Sequence, residues 1–333
     1  MTVPARRMLL AELAIGGISG VMSFGWQQRP LQDGPLRADE RDGHGGRRQA
    51  ASGASTAVSV CLNVNMSNTA APEFREVKAR QGGEHIRSAD LFRLDQRTII
   101  ITGGAGYLGV EAAGCILESG GDVICLDVVE SPRSEVWNVT DPHAISKTFE
   151  TFVPGLRYPI RGLVGCAGVS DNDPAHEFSV ERFRRLMEIN VTGTFSLAQA
   201  VALEMKKANV DGSIVLTASM SGSVANKGVD TAGYNASKSG VLQLARSLAA
   251  EWGSRKGMPL IRVNTLSPGY IRTPATTEAL QKPGMEAQWT GDNMLYRLSL
   301  VDEFRGPILF LLSDASSFMT GADLRVDGGH CAW

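Results

Sequence analysis

The sequence predicts an α/β fold, a single domain built on a doubly wound parallel β-sheet with helices on both faces. Three observations predict it. From Arg97 onward, short apolar runs alternate with amphipathic stretches of helical spacing. The clearest of these runs are rich in β-branched residues, as expected of strands buried on both faces. A glycine-rich loop joins the first run to the first amphipathic stretch.

The elements follow in that order along the chain. Strands are predicted wherever a short apolar run has no helical periodicity: residues 98–102, 122–127, 160–166, 213–217, 260–265 and 323–326. Helices are predicted over residues 107–119 and 234–252, where apolar side chains recur on one side. Asp141 followed by Pro142 marks a further helix start, and Ser179 opens a long helix that runs past Asn190. Residues 274–300 are expected to form a lid of mixed apolar and aromatic side chains over the site.

The N-terminal residues 1–85 differ from this pattern and are expected to be disordered, leaving residues 86–333 as the folded domain. Residues 27–59 have almost no apolar periodicity, so they bury too little surface to offset their ordering entropy. Residues 8–26 are apolar and follow two arginines, but Glu12 and several glycines make them a weak mitochondrial targeting segment, so we expect a cytoplasmic protein. Met66 is a candidate start for a shorter product.

Composition narrows the function classes. The formal net charge of −2 gives no reason to expect nucleic acid or an anionic membrane as a partner. The 5 cysteines match no metal-ligand spacing, so we expect free thiols and no metal site. A small-molecule ligand is the remaining expectation.

The loop after the first strand has the composition of a phosphate cradle. Gly104, Gly106 and Gly109 have the G-x-G-x-x-G spacing between a strand and a helix. Glycines there let backbone N–H groups approach a pyrophosphate, which the helix N-terminus also attracts. A tight turn that happens to use glycine is the alternative. The candidate cofactor-binding residues of this loop are Gly103, Gly104, Gly106, Tyr107, Leu108 and Gly109.

Asp127 ends the second strand, about 20 residues after the loop, where an acid binds the adenosine ribose and repels a 2′-phosphate. We therefore expect NAD rather than NADP in a Rossmann-type fold, although a loop or helix-capping acid is an alternative reading. Small residues after the 160–166 strand let a cofactor lie close, and two others are placed to flank the adenine. These further candidates are Cys166, Ala167, Gly168, Asn138 and Val139.

Tyr234 and Lys238 lie four residues apart on a predicted helix, so they share one face. Tyrosine has a pKa near ~10, and a nearby ammonium is expected to lower it by roughly 1–3 units, toward general acid/base work. Such a pair alone is more often a surface feature. Ser219 follows a strand at the ligand-binding edge of the sheet, and Asn190 is an amide between apolar neighbours, which alone would be a satisfied core group.

In their order, the glycine loop, Asp127, Asn190, Ser219, Tyr234 and Lys238 resemble the short-chain dehydrogenase/reductase family. The resemblance implies that Tyr234 is the acid/base, Lys238 binds the nicotinamide ribose and lowers the tyrosine pKa, Ser219 positions the substrate and Asn190 supports a proton relay. It adds the segment Pro268, Gly269, Ile271 and Thr273, of which Ile271 and Thr273 would contact the nicotinamide. Tyr107 and Cys166 depart from the compact branch, which usually has Gly and Asn there. Tyr107 resembles the extended branch of nucleotide-sugar epimerases, but the chain after Lys238 is too short for a sugar-nucleotide domain.

The sequence as a whole is similar to those of fungal polyol and ketose reductases. It implies hydride transfer between NAD and a secondary alcohol or its ketone: a polyol, a sugar alcohol or a secondary metabolite. It also implies a homotetramer or homodimer that pairs the helices bearing Asn190 and Tyr234. An NAD-dependent epimerase and a non-catalytic dinucleotide sensor are the alternatives, and the intact catalytic set argues against the sensor.

Overall fold

The computed structural model describes Glu73 and residues 86–128, 135–136 and 141–333. Within them lie the strands β1 (Thr98–Thr102), β2 (Asp122–Asp127), β3 (Glu135–Val136), β4 (Ile160–Gly165), β5 (Gly212–Thr217), β6 (Ile261–Pro268) and β7 (Asp323–Val326). All neighbours pair in parallel, in the order β3-β2-β1-β4-β5-β6-β7. The predicted doubly wound sheet is confirmed. The expectations for residues 1–85, of which only Glu73 is described, and for Asn138 and Val139 fall outside the described residues.

The α-helices within the described residues are α1 (Ser88–Leu91), which precedes β1, α2 (Tyr107–Glu118), α3 (Pro142–Phe152), α4 (Val180–Met187), α5 (Thr194–Ala208), α6 (Ala232–Trp252), α7 (Pro274–Leu280), α8 (Met285–Gly291) and α9 (Arg305–Leu312). The predicted start at Asp141 is confirmed, since its Oδ1 accepts hydrogen bonds from the backbone N–H groups of His143 and Ala144. Ser179 caps α4 by accepting from the Arg182 N–H at 3.2 Å. The described helices include none long and apolar enough to span a bilayer.

Side chains that alternate along each central strand form two separate cores. Ile100 packs in the core that α3, α5 and α6 cover, whereas Ile99 and Ile101 pack in the opposite core beneath α2 and α9. All five residues of β1 are buried and all are β-branched, three isoleucines between two threonines, so the strand shows no alternation of apolar and polar residues. This two-sided burial is what makes the strands recognisable in the sequence.

The direction in which the chain crosses from strand to strand reverses at β1, which has β2 on one side and β4 on the other. Thr102 pairs with Leu126 of β2 on one side and with Gly165 of β4 on the other. Connections that diverge in this way open a crevice at the carboxyl ends of the strands, the usual ligand site of such sheets. The loop after β1, Asp127 and Cys166 all lie at this edge.

Candidate functional site

The glycine loop closes tightly between β1 and α2. Gly103 has a φ of 64°, and a Cβ there would lie 2.9 Å from the backbone nitrogen of Ala167. A Cβ at Gly109 would overlap the carbonyl oxygen of Gly103. Helix α2 begins with neither a side-chain cap nor an acidic residue in its first turn. Its first N–H groups therefore have neither a capping side chain nor an acidic residue of their own turn beside them, an arrangement that fits the pyrophosphate of a dinucleotide.

Asp127 lies beside this loop at the end of β2. Its Oδ2 accepts a hydrogen bond from the backbone N–H of Ala105 at 3.0 Å. The carboxylate thus holds the loop in place, which agrees with the alternative that Asp127 is a loop acid. One carboxylate has two oxygens and several lone pairs, so this bond is compatible with binding a ribose as well.

A cleft of about 470 Å³ continues from the loop across the carboxyl ends of the strands. Ser219, Tyr234 and Lys238 line it together. The other predicted residues that line it are Leu108, Cys166, Gly168, Pro268, Gly269, Ile271 and Thr273. Tyr107 lies at the surface with 52% of its area exposed, and Asn190 lies behind the cleft wall with 1% exposed.

Tyr234 is half-buried, and the loss of solvent around its hydroxyl raises its pKa, while a hydrogen bond with Ser219 opposes the rise. Ser219 Oγ in turn accepts from the Ser221 N–H at 3.1 Å. The expected lowering of the Tyr234 pKa by Lys238 is wrong for this structure, because the ammonium is engaged elsewhere. Lys238 Nζ donates to the carbonyl oxygen of Thr217 at 2.9 Å and lies 5.7 Å from the centre of the Tyr234 ring.

Lys238 is itself poorly solvated. Its side chain reaches into the cleft from α6 with only 6% of the residue exposed. Burial lowers its pKa to about 8, and the nearby Cys166 thiol opposes this only in part. The lysine therefore keeps its proton at pH 7 but loses it at a much lower pH than an exposed lysine would.

Asn190 lies in the π-helical turn Glu188–Gly193 between α4 and α5. Its Nδ2 donates to the carbonyl oxygen of Val169 and to Ser237 Oγ, both at 2.9 Å. Its Oδ1 accepts from the Val169 N–H at 2.9 Å. A Cβ on Gly168 would lie 3.3 Å from Asn190 Oδ1 and 3.4 Å from Lys238 Nζ, so both groups flank that glycine. Asn190 fastens the segment after β4 to α6, next to the lysine.

The sequence reading did not single out Tyr270, which also lines the cleft. Its ring stacks on Trp289 of α8 at 4.0 Å between centroids and 5° between planes. Of the predicted lid residues, Trp289 lines the cleft, whereas Met294, Leu295 and Tyr296 are exposed outside it. The signal for Tyr270 was its place directly after the Pro268-Gly269 pair, at the end of β6.

Comparisons with known proteins agree with this geometry. The family model described as enoyl-(acyl carrier protein) reductase matches residues 118–330. The short chain dehydrogenases/reductase notP' of Aspergillus versicolor is 62% identical over 285 residues, covering 80% of this chain and 98% of that protein. The D-arabinitol 2-dehydrogenase (ribulose-forming) of Candida tropicalis is 36% identical over 271 residues, covering 73% of this chain and 95% of that protein. The crystal structure of gox2181 superposes with a TM-score of 0.69 at 33% identity, covering 73% of this chain and 99% of that one.

Proposed function

This chain belongs to the short-chain dehydrogenase/reductase family, and we propose that it is an NAD-dependent oxidoreductase that interconverts a secondary alcohol and its ketone. The observation that carries the proposal is the meeting of Ser219, Tyr234 and Lys238 in one cleft at the carboxyl edge of the sheet. The relative from Candida tropicalis is named for a polyol and its ketose. A polyol or sugar alcohol is thus one substrate class, and a secondary-metabolite alcohol is the other.

The glycine loop and Asp127 fit the dinucleotide. The amides at the start of α2 would hold the pyrophosphate, and Asp127 would bind the adenosine ribose and repel the 2′-phosphate of NADP. Ile271 and Thr273, which line the cleft after Pro268 and Gly269, would hold the nicotinamide end. When bound, NAD accepts a hydride from the alcohol, and its reduced form returns one to the ketone.

Tyr234 and Ser219 act on the reacting oxygen of the substrate. In the reductive direction, the Tyr234 phenol gives its proton to the carbonyl oxygen while the Ser219 hydroxyl donates a hydrogen bond to that same oxygen. In the oxidative direction, the tyrosinate takes the alcohol proton. We propose that Lys238 binds the nicotinamide ribose while Asn190, bonded to the Val169 backbone, orients the segment beside it. Through this position Asn190 supports the route by which the proton is exchanged with solvent.

We also propose that the protein acts in the cytoplasm as a homotetramer or homodimer. The outer faces of α4 and α5 carry apolar side chains at the surface: Val180 (57% exposed), Phe183 (39%), Phe195 (38%) and Leu203 (49%). Exposed apolar side chains of this size are typical of a subunit interface.

Replacing Tyr234 with phenylalanine tests the mechanism. We expect NAD-linked turnover of secondary alcohols to fall by roughly 10²–10⁴-fold, because the proton donor and acceptor is gone. Binding of NAD, measured by calorimetry, should change little. The matched control is Tyr296→Phe, which removes a hydroxyl from a tyrosine that is 67% exposed and outside the cleft. Substantial turnover by Tyr234→Phe would refute the mechanism.

A further inference from the structure

A rigid aromatic wall stands in the same cleft as the catalytic residues. Tyr270 lies flat against Trp289, and the His330 ring meets Tyr270 edge-on at 5.4 Å. His330 Nδ1 lies 3.2 Å from Asn293 Oδ1, which ties the C-terminal segment to the residues after α8. Stacked and edge-to-face rings of this kind fix each other's orientation. The Tyr270 hydroxyl is therefore held in one place.

A chain of hydrogen bonds leaves the proton of that hydroxyl available. Thr231 Oγ1 donates to Asn226 Oδ1 at 3.3 Å, and Asn226 Nδ2 donates to the Tyr270 hydroxyl oxygen at 3.4 Å. With this amide orientation, Tyr270 accepts from Asn226, and its own O–H is free to point to another acceptor. All three residues line the cleft.

Trp289 adds a second donor without a protein partner. The residue is 6% exposed, yet its indole Nε1–H makes no hydrogen bond within the described protein. A buried donor without an acceptor is costly, and this one lies inside the wall, closed off from solvent. This donor belongs to the wall that carries Tyr270.

The cleft carries little charge. Among the described residues that line it, Lys238 is the one basic side chain, and no carboxylate is present. The other polar groups on the substrate side are hydroxyls and amides: Ser170, Asn172, Asn226, Thr231 and Tyr270. An anionic substrate would lose its water shell with no arginine to receive it, whereas a neutral polyoxygenated one would find many partners.

We propose that Tyr270 is a specificity-determining residue, whose hydroxyl binds a second oxygen of a neutral, polyoxygenated substrate while Ser219 and Tyr234 hold the reacting oxygen. Asn226 orients that hydroxyl. The inference rests on the proposed function and refines it by naming the substrate class, and it assigns a role in recognition to a residue outside the catalytic set.

The test uses two five-carbon alcohols, D-arabinitol and 2-pentanol, with NAD and the full chain. Tyr270→Phe keeps the ring on Trp289 and removes the hydroxyl alone. It should lower kcat/KM for D-arabinitol about tenfold, chiefly through KM, and leave 2-pentanol within about twofold. Asn226→Ala should also lower the ratio of kcat/KM for D-arabinitol to kcat/KM for 2-pentanol, and Tyr296→Phe should leave this ratio unchanged. For the wild type, D-gluconate should be at least about tenfold poorer than D-arabinitol.

Any other outcome contradicts one of the claims of the proposal. An equal fall for both alcohols in Tyr270→Phe, or no fall for either, overturns recognition by the hydroxyl. A wild type that uses 2-pentanol as well as D-arabinitol overturns the polyoxygenated class, and one that uses D-gluconate as well overturns the neutral class. A wild type that forms no NADH with D-arabinitol also overturns the polyoxygenated class. Failure of the proposed function is a separate result: Tyr234→Phe then keeps its activity.

Discussion

Replacing Lys238 with methionine should make the cofactor-free protein more stable while removing its activity. Burial lowers the pKa of Lys238 from 10.5 to about 8. Each unit corresponds to about 1.4 kcal/mol, so holding the charged form in the fold costs about 3 kcal/mol. Methionine retains most of the apolar stem and carries no charge. It leaves the Thr217 carbonyl without its donor, which costs about 1 kcal/mol. We expect a net gain of about 2 kcal/mol at pH 7.

Because folding shifts the pKa of Lys238, the difference in stability between the two proteins depends on pH. Because folding lowers the pKa of Lys238, the unfolded chain binds more protons than the folded protein between about pH 8 and pH 10.5. The stability of the wild type relative to Lys238→Met therefore rises through that window. The advantage of the variant is complete below pH 8 and is lost by about pH 10.5.

Urea unfolding of both proteins at pH 7 and pH 10, without cofactor, measures this difference. Lys147→Met is the matched control, since Lys147 is exposed on α3 and its replacement should change stability little at either pH. A variant Lys238→Met that is less stable than the wild type at pH 7 would refute the reasoning. So would a stability difference that is the same at both pH values.

Two further predictions concern the cofactor and the assembly. Asp127→Asn keeps an acceptor for the Ala105 N–H but removes the charge, so the preference for NAD over NADP in kcat/KM should fall about tenfold or more; an unchanged preference, or a wild type faster with NADP, would contradict the role of Asp127. Phe195→Glu places a charge on the exposed face of α5 and should reduce the mass seen by sedimentation equilibrium; a wild type that sediments as a monomer would dispose of the oligomer proposal.

The sequence was most informative where burial is two-sided or where a cap is local. β1 could be predicted to its ends, because every one of its residues is buried and therefore apolar or β-branched. The Asp141 cap depends on three consecutive residues and could be predicted equally well. Strand β6 extends to Pro268, beyond the predicted end at residue 265, since its last residues pair with β7. That pairing joins distant segments and leaves no local signal.

The same distinction explains what the sequence did not reveal in the site. The spacing of Tyr234 and Lys238 correctly placed both side chains in one cleft. It gave no information on burial or on the Thr217 carbonyl, which together decide the pKa of each group. The stack of Tyr270 on Trp289 joins the end of β6 to a lid helix, and no periodicity within either segment indicates it. The π-helical turn at Asn190 depends on packing against α6 and on the contacts of the Asn190 amide.

The pKa directions at the site point to a role for ligand binding in preparing the catalytic pair. Burial raises the pKa of Tyr234 and lowers that of Lys238, so without ligands both groups are driven toward their neutral forms. Catalysis in the oxidative direction needs the opposite, a tyrosinate beside an ammonium. The oxidised nicotinamide ring is positively charged, and ribose hydroxyls offer the ammonium acceptors in addition to the Thr217 carbonyl. The positive ring would therefore favour the tyrosinate but repel the ammonium, and the added ribose acceptors would offset that repulsion. Binding of NAD would thus act on Tyr234 through charge and on Lys238 through hydrogen bonds, which would couple cofactor binding to the protonation state of the pair.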